Sequence, residues 1–330
     1  MITVFARSEG RVIEQPLPVD APLPLGTVWI DMFRPDDAER AHIATCLGIG
    51  LPTREEMKEI EASSQVYVEG EGLYLTTPMI SRADTLHPVQ GELTFILTLR
   101  HMITVRYTDP RSIPTFAARA SRQPELLVSP EDALLGLLDA VTDRVADVLE
   151  LIGSRLDNLS TRVFEDSLEA NERTQKRPQQ PNLHEVLRGI GRAGDLEHKV
   201  RDTLAGLERV VLFLSSVTAN RLSKEQKTAL KTVARDLRSL TERSDFLARE
   251  TNFLLDATLG LINIEQNFII KIFSVAATAF LPPTLIASIY GMNFKHLPEL
   301  DWSFGYPFAL LMMVLSAVLP VLYFRRRGWL

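Results

Sequence analysis

Two long apolar runs lie near the end of the chain. They extend from Ile272 to Phe294 and from Trp302 to Phe324, and neither contains a charged residue. Each has about 23 residues, and a helix of roughly 20 apolar residues crosses the hydrocarbon core of a bilayer. One such run is also typical of a buried helix in a soluble protein. Two in tandem, separated only by residues 295–301, predict a membrane hairpin embedded in the lipid bilayer.

Basic residues flank both outer ends of this hairpin. Lys271 precedes the first run and Arg325, Arg326 and Arg327 follow the second, whereas the short loop between the runs is acidic on balance. The positive-inside rule therefore predicts that both termini lie in the cytoplasm. The first residues of the chain lack a basic region followed by an apolar core, so they do not resemble a secretory signal.

Shorter patterns in the first 110 or so residues predict a compact module of strands and helices. A helix is expected from a cap at Asp36 to about Gly48. Strands are expected over Thr27–Asp31, over Gln65–Ile80 as two strands around a turn at residues 69–72, and over Leu93–Arg100 and Met102–Tyr107 as a hairpin.

Long amphipathic helices follow this module. Apolar residues that recur every three or four positions predict one helix from Ser129 to about Leu168 and a second from Leu183 to about Asn220. A capping box at Ser223–Gln226 begins a third helix, which is expected to continue through the first apolar run to Tyr290. At 1.5 Å per residue this helix would be about 100 Å long. Its own chain cannot cover that length, which favours an oligomeric bundle.

These patterns predict the fold class and the division of the chain. The fold class is an α+β cytoplasmic domain, with α/β/α layers plus long helices, joined by a very long stalk helix to a two-span α-helical membrane domain. The expected segments are an α/β domain at 1–127, a long-helix hairpin at 128–222, the stalk helix and first span at 223–290, an external loop at 291–303, the second span at 304–324 and a basic cytoplasmic tail at 325–330.

A second pattern follows one face of the first span. Residues spaced alternately by four and three positions form a heptad seam, which faces partner helices or a central axis. Small polar residues serve either close helix packing or a water-accessible pore, in which Ile270 and Leu281 would be constrictions. The seam mixes small polar and apolar residues without a charge: Asn263, Asn267, Ile270, Ser274, Ala277, Leu281, Thr284, Ser288 and Gly291.

Composition excludes several classes of protein. Acidic residues outnumber basic ones by 42 to 36, which argues against a nucleic-acid partner. The single cysteine, Cys46, excludes an internal disulfide framework and a cysteine-based zinc site. Gly189–Gly194 fits G-x-G-x-x-G, but no strand precedes it, so this motif does not predict a nucleotide site. No nucleophile, base and orienting group occur together, and we predict no enzyme.

The outer end of the first span carries Gly291-Met292-Asn293. In this position the sequence resembles the CorA family of divalent-cation channels, whose signature is Gly-Met-Asn at the end of the first membrane helix. The resemblance is close over the last 70 or so residues, and the rest of the chain matches in layout only. Other similar segments are Asn263–Asn267, Pro298–Leu300, Tyr306-Pro307 and Gly328–Leu330.

The resemblance implies a homopentamer in the cell inner membrane, with a funnel-shaped cytoplasmic domain and a single pore lined by the first spans. The substrate would be Mg2+, with Co2+ and Ni2+ as further ions, moving down the electrochemical gradient into the cytoplasm. It also implies that intracellular Mg2+ binds between subunits and closes the channel. No cofactor is expected beyond Mg2+ in these two roles.

Site residues follow from the resemblance position by position. Gly291, Met292 and Asn293 would form the selectivity filter. The family's polar pore positions match Asn267 and Thr284, and its apolar constrictions match Ile270, Phe273 and Leu281. An acidic residue near the cytoplasmic pore mouth matches Asp256. A regulatory acid on the stalk aligns with Thr232, and Asp236 lies one turn away.

The residue types suit this chemistry. Mg2+ holds six waters tightly, and a ring of Asn293 amides would accept hydrogen bonds from those waters without removing them. Glu299 and Asp301 would raise the cation concentration at the outer mouth, or they are ordinary solvated loop charges. The acidic face of the helix that begins near Glu131 would bind Mg2+ weakly, or it is a solvated surface.

Two other functions stay open at this stage. A zinc transporter of the same superfamily keeps the architecture but varies the signature, and the intact Gly-Met-Asn favours Mg2+. A two-span membrane sensor or anchor without transport would need neither the polar seam nor the signature.

Overall fold

The computed structural model describes residues 1–59, 61–164, 182–218, 220–292 and 302–328. It contains two compact units, Met1–Leu255 and Asp256–Leu330. The first unit holds one sheet, most of the helices and the start of the helix Lys224–Tyr290, and the second holds the rest of that helix and the helix Gly305–Arg326, the two candidates for crossing a membrane.

A seven-stranded sheet forms the centre of the first unit, in the order β2-β1-β3-β7-β6-β5-β4. Neighbouring strands are antiparallel except for β3 and β7, which are parallel. The strands are β1 (Ile2–Ser8), β2 (Arg11–Pro16), β3 (Thr27–Phe33), β4 (Val66–Glu69), β5 (Gly72–Ser81), β6 (Val89–Leu97) and β7 (Met102–Arg106). The predicted strands are all present, with a two-residue turn at Gly70 and Glu71.

The hairpin of β1 and β2 is an element that the sequence analysis did not identify. The strand β2 lies at the edge of the sheet, and its residues are exposed or half-buried, so it lacks the apolar alternation that marks a strand with a buried face. The strand β1 is covered on both sides by β2 and β3, and it contributes Val4 and Phe5 to the core.

The helices are α1 (Asp37–Leu47), α2 (Ala62–Gln65), α3 (Ser112–Arg122), α4 (Pro130–Phe164), α5 (Leu183–Val217), α6 (Lys224–Tyr290) and α7 (Gly305–Arg326). The cap at Asp36 is confirmed, because its side chain accepts the N–H of Glu39 at 2.8 Å. The long third helix is also confirmed from end to end as α6, with Pro282 and Pro283 inside it. The helix α5 ends three residues before the predicted Asn220. The expected end of α4 at Leu168 lies outside the described residues.

Helices cover both faces of the sheet, which confirms the α/β/α layers. On one face, Ile30 and Met32 of β3 belong to a buried cluster with Ile43 of α1. On the other face, Trp29 contacts Phe116 of α3 with ring centroids 5.3 Å apart. The helix α5 approaches the same sheet so closely that a Cβ at Gly206 would lie 2.3 Å from Thr77 Oγ1.

A buried polar network joins the two parallel strands at the middle of the sheet. Arg106 of β7 donates from Nη2 to Asp31 Oδ2 of β3 at 2.9 Å, and both side chains are less than a tenth exposed. Thr104 donates to Asp31 Oδ1 at 2.7 Å and accepts the indole N–H of Trp29 at 3.1 Å. On the solvent side, Arg106 Nη1 contacts Asp109 Oδ1 at 2.7 Å. The network therefore satisfies the charged groups that β3 and β7 bury.

Two capped helix ends lie side by side in the first unit. Ser129 caps α4 by accepting the N–H of Asp132 at 3.2 Å, and Ser223 caps α6 by accepting the N–H of Gln226 at 3.1 Å. The predicted capping box at Ser223 and the predicted start of α4 at Ser129 are thus confirmed. The amide of Gln226 also donates to Asp132 Oδ1 at 2.8 Å, so the start of α6 is tied to the start of α4.

We expect the substitution Asp31→Ala to destabilise the first unit strongly. It leaves the buried guanidinium of Arg106 without its main partner, which costs about 3–5 kcal/mol in the free energy of unfolding. The matched control is Asp109→Ala, because that carboxylate contacts the same guanidinium from an exposed position, 68% accessible, and should cost less than about 1 kcal/mol. Thermal unfolding of the full chain in detergent measures both changes, and equal losses would contradict the role given to Asp31.

Candidate pore-lining face of the first membrane helix

The second unit contains two helices that are long and apolar enough to cross a membrane. They are the end of α6 and the whole of α7, and in the most apolar 18-residue window of each only 6% of the residues are buried. Most of the apolar surface of these helices is therefore left uncovered by the described part of the chain.

One face of α6 packs against α7. Along this face Val275 is buried, and the residues half-buried include Ala279, Pro283 and Ile286. A small apolar cavity of about 490 Å³ between the two helices is lined by residues from both, among them Ala279 and Pro283 of α6 and Met313 and Ala317 of α7.

The predicted seam lies on the opposite face of α6. Successive residues of an α-helix turn by about 100°, which places Ala277, Leu281 and Thr284 roughly opposite Ala279, Pro283 and Ile286. The predicted constriction Phe273 is exposed. Every predicted seam residue is exposed as well: Asn263, Asn267, Ile270, Ser274, Ala277, Leu281, Thr284, Ser288 and Gly291. The seam therefore does not serve packing within the hairpin, and whatever covers it comes from outside the described residues of this chain.

Thr284 presents an oxygen suited to a hydrated cation. Its hydroxyl donates to the carbonyl of Phe280 at 2.7 Å, so the hydrogen is used by the helix backbone. A hydroxyl oxygen keeps two acceptor lone pairs. On the exposed seam, these lone pairs are available to the hydrogens of water molecules.

The structure describes part of the predicted filter. Gly291 continues the hydrogen bonding of α6, since its N–H donates to the carbonyl of Ala287 at 2.9 Å. Gly291 and Met292 are both exposed. Asn293 and the predicted outer-mouth residues Glu299 and Asp301 lie outside the described residues, and their roles stay predictions.

The two predicted regulatory acids are both accessible. Asp256 is exposed at the start of the second unit. In the first unit, Asp236 is half-exposed and its Oδ1 lies 3.7 Å from Arg235 Nε. Among the described residues, no group of three or more histidine, cysteine, aspartate or glutamate side chains is arranged to hold a metal ion. A single subunit therefore lacks a preformed metal cage in its described part.

The structure adds Asp143 of α4 to this acidic region. Burial raises the pKa of the Asp143 carboxyl above its ordinary value, and the charge of Asp139 raises it further. Arg119 opposes this rise in pKa, while Asp147 and Asp236 add to it. The i, i+4 spacing of 139, 143 and 147 is visible in the sequence, but the approach of Asp236 from another helix is not. The acidic face of α4 is thus partly desolvated, and a cation there would relieve its charge repulsion.

Comparisons with known proteins agree with this architecture. The family model described as CorA-like Mg2+ transporter protein matches residues 25–326. The chain is 35% identical to the magnesium transport protein CorA of Escherichia coli K12 and 34% identical to that of Salmonella typhimurium LT2, in each case over the full length of both proteins. Its fold is similar to the complete CorA structure from Methanocaldococcus jannaschii, with a TM-score of 0.75, 20% identity, and coverage of 100% of this chain and 99% of that one.

Water accessibility distinguishes the two faces of α6. Cys46 is the single cysteine and is exposed, so we would first replace it by serine and then introduce Ala277→Cys or Ala279→Cys. A charged, water-soluble thiol reagent should modify the residue 277 thiol at least about tenfold faster in reconstituted vesicles, since only a hydrated thiol forms the reactive thiolate.

The two alanines are a matched pair, two residues apart on opposite faces. Equal modification rates, or no modification at position 277, would contradict a water-accessible seam.

Proposed function

Because this chain belongs to the CorA-like Mg2+ transporter family, we propose that it is a channel that conducts Mg2+, and also Co2+ and Ni2+, into the cytoplasm as hydrated ions. The observation that carries this proposal is the uncovered polar seam on α6, opposite the face that packs against α7. A membrane anchor has no use for a face of this kind, because lipid favours apolar residues.

The conducting form in this proposal is a homopentamer in the cell inner membrane. The first spans surround the axis with their seams, and the second spans form an outer ring. The uncovered apolar surface of α6 and α7 supports assembly, since one hairpin cannot enclose a pore. Lys271 and Arg325–Arg327 support a cytoplasmic location of both termini.

Selection would occur at the outer end of the first span. A ring of Asn293 amides accepts hydrogen bonds from the six waters of Mg2+, which the ion gives up reluctantly. Gly291 has no side chain to narrow the approach, and Glu299 and Asp301 attract cations to the mouth. Ile270, Phe273 and Leu281 are the apolar constrictions below.

The membrane potential drives the ion, and no cofactor or enzymatic step is involved. An inside-negative potential of 100 mV favours entry of a divalent ion by about 4.6 kcal/mol, twice the value for one charge.

Intracellular Mg2+ acts as the closing ligand in this proposal, through Asp256 and Asp236. Asp143 lies on the same acidic surface as Asp236: burial raises the pKa of its carboxyl first, and the charges of neighbouring acids that include Asp236 raise it further, so a cation is favourable there.

Ion flux tests the filter. Purified protein in proteoliposomes, with an internal Mg2+ indicator and an inside-negative potential, should show Mg2+ uptake. The substitution Asn293→Ala should lower this uptake or its preference for Mg2+ by at least about tenfold, because hydrogen bonds to the water shell are lost. The matched control is Asn182→Ala, at the start of α5, where the side chain makes no capping hydrogen bond.

Three outcomes would contradict the proposal. Active preparations that take up no Mg2+ would remove the channel function. Uptake that is unaffected by Asn293→Ala would remove the filter. Uptake of Zn2+ in preference to Mg2+ would favour the zinc transporter.

Proton competition tests the regulation. Protonation removes the negative charge of Asp143, so the internal Mg2+ concentration that closes the channel should rise as the pH falls through the raised pKa of this carboxyl. Asp236→Asn should lower the pKa of Asp143 toward its ordinary value and should also raise the Mg2+ concentration needed for closure. The control is Glu14→Gln, which removes one negative charge from an exposed position of β2. If Asp236→Asn and Glu14→Gln changed the Mg2+ concentration needed for closure equally, a regulatory site at Asp236 would be contradicted.

A further inference from the structure

A cleft lies between α4, α5 and the loop that follows β5. It has a volume of about 860 Å³, within the range of small-molecule sites. All of its lining residues belong to the first unit, and the proposed ion path does not use any of them.

Four arginines line this cleft, two from each helix: Arg155 and Arg162 of α4, and Arg188 and Arg192 of α5. Within the described residues, Arg162 has one partner, since its Nη2 lies 3.4 Å from Glu185 Oε2 and both side chains are largely exposed. Arg155, Arg188 and Arg192 have no ion pair or hydrogen bond to any described residue. Like charges placed together repel, so among the described residues the cluster lacks the counter-charge that an anion would supply.

The two aspartates in the lining do not neutralise these arginines. Asp84 is paired with Arg111 at 2.5 Å and with Arg144 at 3.1 Å. Asp195 is paired with Lys199 on its own helix. Arg111, Arg144 and Lys199 do not line the cleft. The negative charges of Asp84 and Asp195 are therefore neutralised by cations other than the four arginines of the cleft.

Two glycines shape the α5 side of the cleft. A Cβ at Gly189 would lie 2.7 Å from Leu159 Cδ2 of α4, so this glycine lets the helices approach. Gly191 also lines the cleft, and a Cβ there would meet no atom within 4 Å. Both glycines lie inside a continuous helix whose N–H groups are used by the backbone. Any ligand is therefore held by side chains, and the G-x-G-x-x-G motif at Gly189–Gly194 does not act as a phosphate-binding loop.

We propose that this cleft binds a polyphosphate anion, of the nucleoside triphosphate class. Guanidinium groups match phosphate oxygens in pairs of parallel hydrogen bonds, and four of them suit a chain of several phosphates better than one monovalent anion. Leu86, His87 and Pro88 of the loop complete the lining and provide a surface on which the planar base lies. This inference goes beyond the proposed ion channel and does not rest on it.

Equilibrium binding to the full chain in detergent, measured by titration calorimetry with inorganic triphosphate and with ATP in Mg2+-free buffer, tests the site. The double substitution Arg188→Ala/Arg192→Ala should weaken the binding of both anions by about a hundredfold, since losing one hydrogen-bonded charged contact lowers affinity by roughly tenfold. The charge-matched control is Arg238→Ala/Arg249→Ala, at two exposed positions of α6 outside the cleft.

A second variant separates binding from folding. Gly191→Leu places a side chain in the open cleft and replaces glycine by a better helix former. It should weaken binding at least about fivefold without lowering the melting temperature, whereas Gly191→Ala should leave binding nearly unchanged. A loss of binding together with a stable fold can then be attributed to the filled cleft.

The outcomes discriminate clearly. Tighter binding of ATP than of inorganic triphosphate supports the base-binding surface, and equal affinity overturns that part of the proposal. No binding to the wild-type chain, or an equal loss in the control double variant, overturns the site. Ion flux is not measured in this experiment, so its failure and a failure of the proposed channel function are distinguishable.

Discussion

The structure depends on one constraint, namely that an apolar helix surface has to be covered by something other than water. In the first unit the chain supplies the cover itself, because helices pack on both faces of the sheet. In the second unit it does not, since described residues bury few residues of the two apolar helices. Lipid and further copies of the chain are the covers available to an apolar surface of this size. The described residues of one chain therefore leave this surface to be covered from outside.

The first unit is built to hold long helices firmly. The buried pair of Asp31 and Arg106 fixes β3 against β7, and Gly206 lets α5 lie directly on the sheet. The caps at Ser129 and Ser223 are linked through Gln226, so α4 and α6 begin at one anchored point. A helix of 67 residues needs a fixed first turn, because a small change in the direction of that turn would displace the far end of the helix by a large distance.

The sequence predicted the long helices α4, α5, α6 and α7 well because their apolar periodicity is long, but it did not predict the short helix α3. It also predicted which residues form the seam, and the structure adds that this face is opposite α7. It missed the β1–β2 hairpin because an exposed edge strand carries little pattern. It also missed the approach of Asp236 to Asp143, since residues on different helices leave no trace in local spacing. The arginine cleft was hidden for the same reason, and sequence reading found only the glycines beside it. The filter residue Asn293 came from resemblance to a family, not from periodicity.

The opposite placement of the two faces of α6 has a consequence for how such proteins diversify. Residues such as Ala279 and Pro283 hold the hairpin together, while Ser274 and Thr284 make no contact that the hairpin requires. Side chains on the seam can therefore change without disturbing the packing that keeps the helices paired. The stability of the hairpin and the chemistry of the exposed seam can in this way evolve as separate traits.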